Sequence, residues 1–155
     1  MADVQRTLLL VKPDGVQRQL VGRVLSRFEE RGLKIVGLKL VQTDRALAEQ
    51  HYAVHREKPF FTGLVDFITS APLVAAALEG PNAIAVVRAM NGATRPHEAE
   101  PGSIRGDFAL ETAQNLVHAS DSPENAEAEL ALWFQPEELL SYDREVDRWV
   151  LAPEE

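Results

Sequence analysis

Apolar positions along the chain change period several times, and each change marks an element. Arg6 to Lys12, with the apolar run Leu8 to Val11 at its centre, predicts a buried strand, halted by the turn residues Pro13-Asp14-Gly15. Val21, Val24, Leu25 and Phe28 follow at helical spacing, predicting a helix from Val21 to Arg31 with Gly32 as its stop. Leu33 to Val41 reads as a second strand with Val36, Leu38 and Leu40 on one face. Asp44 is placed to cap a helix running to about His55, and a further helix covers Phe61 to Thr69. Leu73 to Leu78 is a compact apolar run closed by Glu79-Gly80-Pro81, a third strand. Asn82 is placed to cap a helix carrying Ile84, Val87 and Arg88 and ending near Gly92.

From Gly92 to Glu111 the periodicity disappears among prolines and glycines. Structureless loops longer than about 12–15 residues are uncommon in compact domains and tend to be functional. A short strand, Asn115 to Val117, then leads into His118. Ser122-Pro123-Glu124 opens a helix that turns Ala128, Leu132 and Trp133 inward. This order predicts an α+β sandwich of ferredoxin-like βαββαβ type, a four-stranded antiparallel sheet covered by helices. A small doubly wound parallel sheet is the competing topology.

Composition narrows the chemistry. At 155 residues the chain has the length of one domain, with 141–155 as a C-terminal extension packing on its own or a neighbouring subunit. There is no cysteine, which excludes disulfides, thiolate metal sites and cysteine nucleophiles. A net charge of -8 opposes nonspecific binding to nucleic acid or an anionic membrane. No stretch approaches the ~20 apolar residues of a membrane helix, and no targeting segment is visible, so the expected compartment is the cytoplasm. Glycine-rich phosphate loops and paired zinc-binding histidines of familiar spacing are missing as well.

His118 stands at a strand end before a helix, where a neutral imidazole can act as a nucleophile if its second nitrogen is held. Glu129, one helix onward, is a candidate holder, and Ser120 can bridge the two. Lys12, Arg88 and Arg105 are singly ordinary surface charges, but together they suffice to neutralise a triphosphate. Phe60 reads either as core or as a stacking platform; two adjacent phenylalanines cannot easily both face inward, which favours an exposed aromatic here. His51 and His55, four apart, can share a helix face and grip a metal, but a solvated face is the simpler reading.

Asn115–Ser122, NLVHASDS, resembles the active-site signature of nucleoside diphosphate kinases. The likeness runs through RTLLLVKPDGVQR, RGLKIVGLKL, HYAVHREKPFF, ITSAP, LEGPNAI, GATRPHEAEPGSIRGDF and ALWFQPEEL, and is weakest in SYDREVDRWVLAPEE. The resemblance implies a ferredoxin-like fold and reversible transfer of a γ-phosphoryl group between nucleoside tri- and diphosphates through phosphorylated His118. It implies Lys12, Phe60, Arg88, Thr94, Arg105 and Asn115 as nucleotide ligands, and Tyr52, Ser120 and Glu129 as orienting residues. Mg²⁺ would arrive on the nucleotide phosphates, with Asp121 reaching it through water. The 92–111 loop resembles a subunit-contacting loop, and the expected assembly is a homo-oligomer, a hexamer in preference to a tetramer. Three positions depart from the pattern: Ala119 and Gln19 stand where glycine is usual, and Ser103 where threonine is usual. Ala119 predicts a backbone conformation that accepts a β-carbon. Two rival functions remain at this level, a regulatory nucleotide-binding module and an enzyme that phosphorylates a protein partner.

Overall fold

The computed structural model describes residues 3–152. Four strands, β1 (Val4–Val11), β2 (Lys34–Val41), β3 (Leu73–Pro81) and β4 (Val117–Ala119), form one sheet in the order β2-β3-β1-β4. Every pairing is antiparallel, which eliminates the parallel alternative. Helices α1 (Pro13–Gln17) and α2 (Val21–Arg31) join β1 to β2, and α3 (Arg45–His51) and α4 (Phe61–Thr69) join β2 to β3. Helices α5 (Ala83–Asn91) and α6 (Ile104–Phe108) lie between β3 and β4, followed by α7 (Pro123–Trp133) and the short α8 (Asp147–Val150). With α3 and α4 as an insertion, this is the expected ferredoxin-like βαββαβ arrangement.

Strand β1 shows why its sequence lacks alternation. Leu9 and Val11 face a core shared with Val24 and Phe28 of α2 and Val87 of α5. Leu8 and Leu10 face the other core, with Ala48 of α3, Val65 and Ile68 of α4, and Leu130 and Trp133 of α7. All four are fully buried. At about 1.5–3 kcal/mol for each buried side chain of this size, a polar residue on either face would be costly.

Several local expectations are corrected. A bulge lies between Ile35 and Gly37 of β2, so Val36 turns into the second core while Leu38 and Leu40 stand on the opposite face, exposed at the sheet edge. Asn82 occupies the cap position of α5 in a left-handed conformation but makes no side-chain cap; Gln5 Oε1 accepts from Ile84 N instead, at 3.2 Å. In α7 Ala126, Leu130 and Trp133 are buried and Leu132 packs half-buried against the second core, as expected of Leu132 and Trp133, but Ala128 is exposed. The 92–111 segment contains α6, whose N-cap Ser103 accepts from Gly106 N at 3.1 Å. The hydroxyl retained at Ser103 is the group that caps.

The chain beyond α7 runs back along β2. Leu140 N donates to Val36 O at 2.8 Å, and Arg144 donates to the carbonyls of Gly32 and Leu33 at 3.0 and 3.1 Å. Trp149 stays 79% exposed, so it is not a docked residue on this chain.

Candidate active site

The approach to β4 is built around a strained turn. Val117 N donates to Asn115 O at 2.9 Å across Leu116, whose φ is 74°. That is a γ-turn of the rare, left-handed sort, costly for a branched side chain. Its surroundings hold it: Leu116 is fully buried, its N–H donates to Asp14 Oδ2 at 3.0 Å, and its carbonyl accepts from Lys12 N at 2.8 Å. The turn thus ties the start of β4 to the end of β1. Asn115 Oδ1 consequently accepts from Lys12 Nζ, and Asn115 Nδ2 donates to the Thr94 carbonyl at 3.0 Å.

His118 sits in the middle of β4 opposite Leu10, rather than beyond the strand end. Its Nε2 lies 2.7 Å from Glu129 Oε1 of α7. Helix α7 is started by Ser122, which accepts from Asn125 N at 3.1 Å, and it carries the carboxylate back toward the sheet. Ser120, fully buried, donates to the same Glu129 oxygen at 3.0 Å. Ser120 therefore holds Glu129 and does not bridge to the imidazole. Burial works to raise the Glu129 pKa, but the hydrogen bond and charge of His118 outweigh it, and the carboxyl lies below its ordinary value. An ionised Glu129 accepts only, so Nε2 carries the proton and Nδ1 keeps the free lone pair.

Lys12, Tyr52, Phe60, Arg88, Thr94, Arg105, Asn115, His118, Asp121 and Glu129 line one cavity of about 860 Å³. Ten expected residues from separate parts of the chain thus converge. Arg105 is buried and spends three N–H groups on the carbonyls of Gly92, Asn115 and Val117, at 2.8, 3.2 and 2.6 Å. Its planar fork has five such donors, so two are left for an anion. Burial, then the charge of Arg88, pushes Arg105 down to about 10. Burial similarly pushes Lys12 down to about 8, with Asp14 opposing and Arg105 adding to the shift. Arg88 is exposed and makes no ion pair among the described residues. Three cations facing one hollow in a chain of net charge -8 form a pocket for a polyanion. Phe60, 51% exposed, lies at the rim 5.3 Å from the His55 ring, while Phe61 packs into the second core. Burial pushes the Tyr52 hydroxyl up to about 12.

A second, mostly apolar hollow of about 530 Å³ lies against α7 between Ile84, Phe134 and Leu139 and contains none of the expected site residues.

One neighbour of His118 was missed. Helix α3 ends at His51 and the chain tightens to a 3-10 turn at Ala53–His55, so His51 and His55 do not share a helix face. His51 is mostly buried, its ring centroid 4.6 Å from that of His118, and its Nδ1 accepts from Trp133 Nε1 at 3.1 Å. Burial, followed by the His118 charge, pushes it down to about 3. A sequence signal existed in Trp133 itself: an inward indole needs an acceptor for its N–H. Donor atoms of His51, His118 and Glu129 lie within 4.8 Å of one another, the makings of a metal cluster. The hydrogen bonds point elsewhere. His51 Nδ1 is engaged by Trp133 and His118 Nε2 by Glu129, and the two imidazoles meet only through their edge-to-face ring contact.

A family model described as nucleoside diphosphate kinase matches residues 5–139. The chain belongs to the nucleoside diphosphate kinase family. The nucleoside diphosphate kinase of Thermomicrobium roseum is 56% identical over 149 residues, which is 96% of this chain and 100% of the relative. A halophilic nucleoside diphosphate kinase from Halobacterium salinarum, solved in complex with CDP, superposes with a TM-score of 0.93 at 47% identity, covering 96% of this chain and 99% of that one. A nucleoside diphosphate kinase family protein from Babesia bovis gives 0.92 at 46% identity, covering 94% and 99%.

Within this family the two glycine departures behave differently. Ala119 lies in β4 opposite Leu9, in strand conformation, and a β-carbon is accepted there. Gln19 takes φ 61°. Leu20 N donates to Gly15 O and Gln19 N to Val16 O, both at 2.9 Å, the two bonds of a Schellman motif that ends α1. Gln19 occupies the left-handed position that Gly32 fills at the end of α2.

Proposed function

We propose that the chain moves the γ-phosphoryl group of a nucleoside triphosphate to a nucleoside diphosphate by a reversible ping-pong path through a phosphohistidine at His118. The observation that carries this reading is the Glu129–His118 pair opening on a cavity faced by Lys12, Arg88 and Arg105. The His118 Nδ1 lone pair attacks the γ-phosphorus in line, forming a P–N bond. The P–O bond to the leaving diphosphate breaks, and its electron pair departs with the β-phosphate oxygen. Glu129 accepts from Nε2–H and stabilises the positive charge that develops on the ring. Lys12, Arg88 and Arg105 neutralise the transferring group, with Thr94 and Asn115 serving phosphate and sugar and Phe60 stacking on the base. Stacking does not read base edges, so purines and pyrimidines are both accepted. Tyr52 and Ser120 orient the site, Ser120 through Glu129. The diphosphate leaves, another binds, and the same steps run backward.

The substrate would be the Mg²⁺ complex of the nucleotide, the ion supplying positive charge that offsets the phosphates. Magnesium keeps several waters and takes one or two carboxylates beside substrate phosphates. Glu129 is committed to His118 and Ser120, so Asp121 is the carboxylate suited to meet those waters; Asn125 holds one of its oxygens at 2.6 Å.

We further propose one catalytic domain over 1–155, with 141–155 as a C-terminal extension packing on its own or a neighbouring subunit, acting in the cytoplasm as a homohexamer without nucleic-acid or membrane partners. Light scattering that gave a tetramer or dimer mass would overturn the hexamer. For the reaction, the protein is incubated with Mg·ATP, its intact mass is measured, and a different nucleoside diphosphate is then added. The expected result is an acid-labile phosphoryl adduct that disappears on the second addition and never forms in His118→Ala. An adduct that persists after the second addition would refute ping-pong transfer.

A further inference from the structure

The ring packed against His118 has no part in the scheme above. Trp133 donates to His51 Nδ1 at 3.1 Å, and an indole nitrogen can only donate. Nδ1 therefore holds a lone pair, and the proton of the neutral ring sits on Nε2. The His51 ring stands edge to face with His118, centroids 4.6 Å apart at 80°, and with Tyr52 at 4.8 Å and 70°.

We propose that His51 is a positioning residue for phosphoryl transfer: Trp133 locks it as the uncharged Nε2–H tautomer, and in that form it fixes the plane of the His118 ring against Glu129. This deepens the phosphohistidine reading and rests on it. Glu129 pins His118 at one nitrogen, which defines a point and leaves the ring free to swing about its own bonds. The edge-to-face contact supplies the plane, so that Nδ1 keeps one direction. In-line attack depends on such alignment, because a misplacement of about 1 Å can slow a reaction about 100-fold.

Charge is the second half of the argument. His51, His118 and Glu129 offer polar atoms within 4.8 Å of one another. A cationic His51 would compete for the carboxylate that accepts from His118 Nε2–H and draw it away. The indole N–H occupies the nitrogen that would take the extra proton. The groups that bear on His51 are His118, Lys12 and His55, which disfavour its charging, and Glu129, which favours it; Tyr52 contributes a neutral ring. Burial outweighs all of them, and the ring stays neutral throughout the working range.

A side chain that merely filled space would be replaceable by phenylalanine. The test uses the full chain as parent, His51→Phe and Trp133→Phe, with phosphorylation by Mg·ATP followed in a single turnover. ADP affinity is measured separately, and nitrogen NMR of the imidazoles reads the tautomers. His51→Phe is expected to bind ADP as the parent does but to phosphorylate roughly 10- to 100-fold more slowly. Trp133→Phe is expected to slow the same step and to give His51 a mixed tautomer signal, where the parent shows Nε2–H alone. Parent-like phosphorylation in His51→Phe, or an Nδ1–H signal for His51 in the parent, overturns the inference and leaves the phosphohistidine reading intact. Should His51→Phe fail to fold, the Trp133→Phe rate and the parent spectrum decide. A parent that forms no phosphoryl adduct defeats the underlying reading, and this inference with it.

Discussion

Glu129 Oε1 lies 2.7 Å from His118 Nε2, and that single contact decides which imidazole nitrogen keeps a free lone pair. A carboxylate accepts only, so the proton is drawn to Nε2 and the lone pair is left on Nδ1. Glutamine at 129 can present its NH₂ instead, which favours the opposite tautomer and removes the nucleophilic pair. Glu129→Gln is expected to lower the single-turnover phosphorylation rate by about 10²-fold or more, with ADP affinity little changed. Rapid-quench measurement of the phosphoryl-protein checks it, and a parent-like rate would mean that Glu129 does not set the tautomer.

Lys12 gives the site a pH signature. With its pKa held down to about 8, mainly by burial, it loses its proton in the nucleotide-free protein as pH rises through that value. Phosphates beside the ammonium favour the charged form and raise the pKa again, so nucleotide binding at about pH 8.5 should take up a proton. At about pH 6.5 Lys12 is already charged and contributes almost no uptake. Calorimetry in buffers of different ionisation enthalpy measures this, and Lys12→Arg should abolish it. Zero uptake at the higher pH would contradict the assignment. The linked stability has a definite sign: between about 8 and 10.5 the unfolded chain binds more protons at Lys12 than the folded one, so this group favours folding increasingly as pH rises across that window.

Gln19 marks a place where stability can be recovered. Its left-handed backbone costs an L-residue about 1–2 kcal/mol, part of which is offset because glycine loses more freedom on folding. Gln19→Gly is therefore expected to stabilise the fold by about 0.5–1 kcal/mol, read from the urea midpoint at unchanged slope. The residue is exposed and lies outside the cavity, so phosphorylation should be unaffected. A lower midpoint would show that the Gln19 side chain contributes something unrecognised.

The succession of strands and helices was legible along the chain because it rests on local rules, whereas Tyr52, Thr94 and Asn115 entered the site only through the family resemblance. The apolar run of β1, the glycine stop at Gly32 and the Ser122-Pro123 start of α7 each act within a few residues. That one member of the Phe60–Phe61 pair is exposed followed from sterics, and which one followed from the family resemblance. Lys12, Arg88 and Arg105 were legible as charge enough for a triphosphate, but spacing could not bring them together, and the family resemblance implied their one site.

What the chain alone determined was therefore the alternation of elements, the candidate pairing of His118 with Glu129, and the charge available to meet phosphate. Tertiary structure decided the rest: the face reversal at Val36, the γ-turn at Leu116, the Gln5 cap of α5, and the Trp133–His51 bond behind His118. Each of these joins groups distant in sequence or imposes a backbone conformation that local preference opposes. Such features exist only where burial and hydrogen bonds from elsewhere in the fold outweigh their local cost, and no window of neighbouring residues contains both sides of that balance.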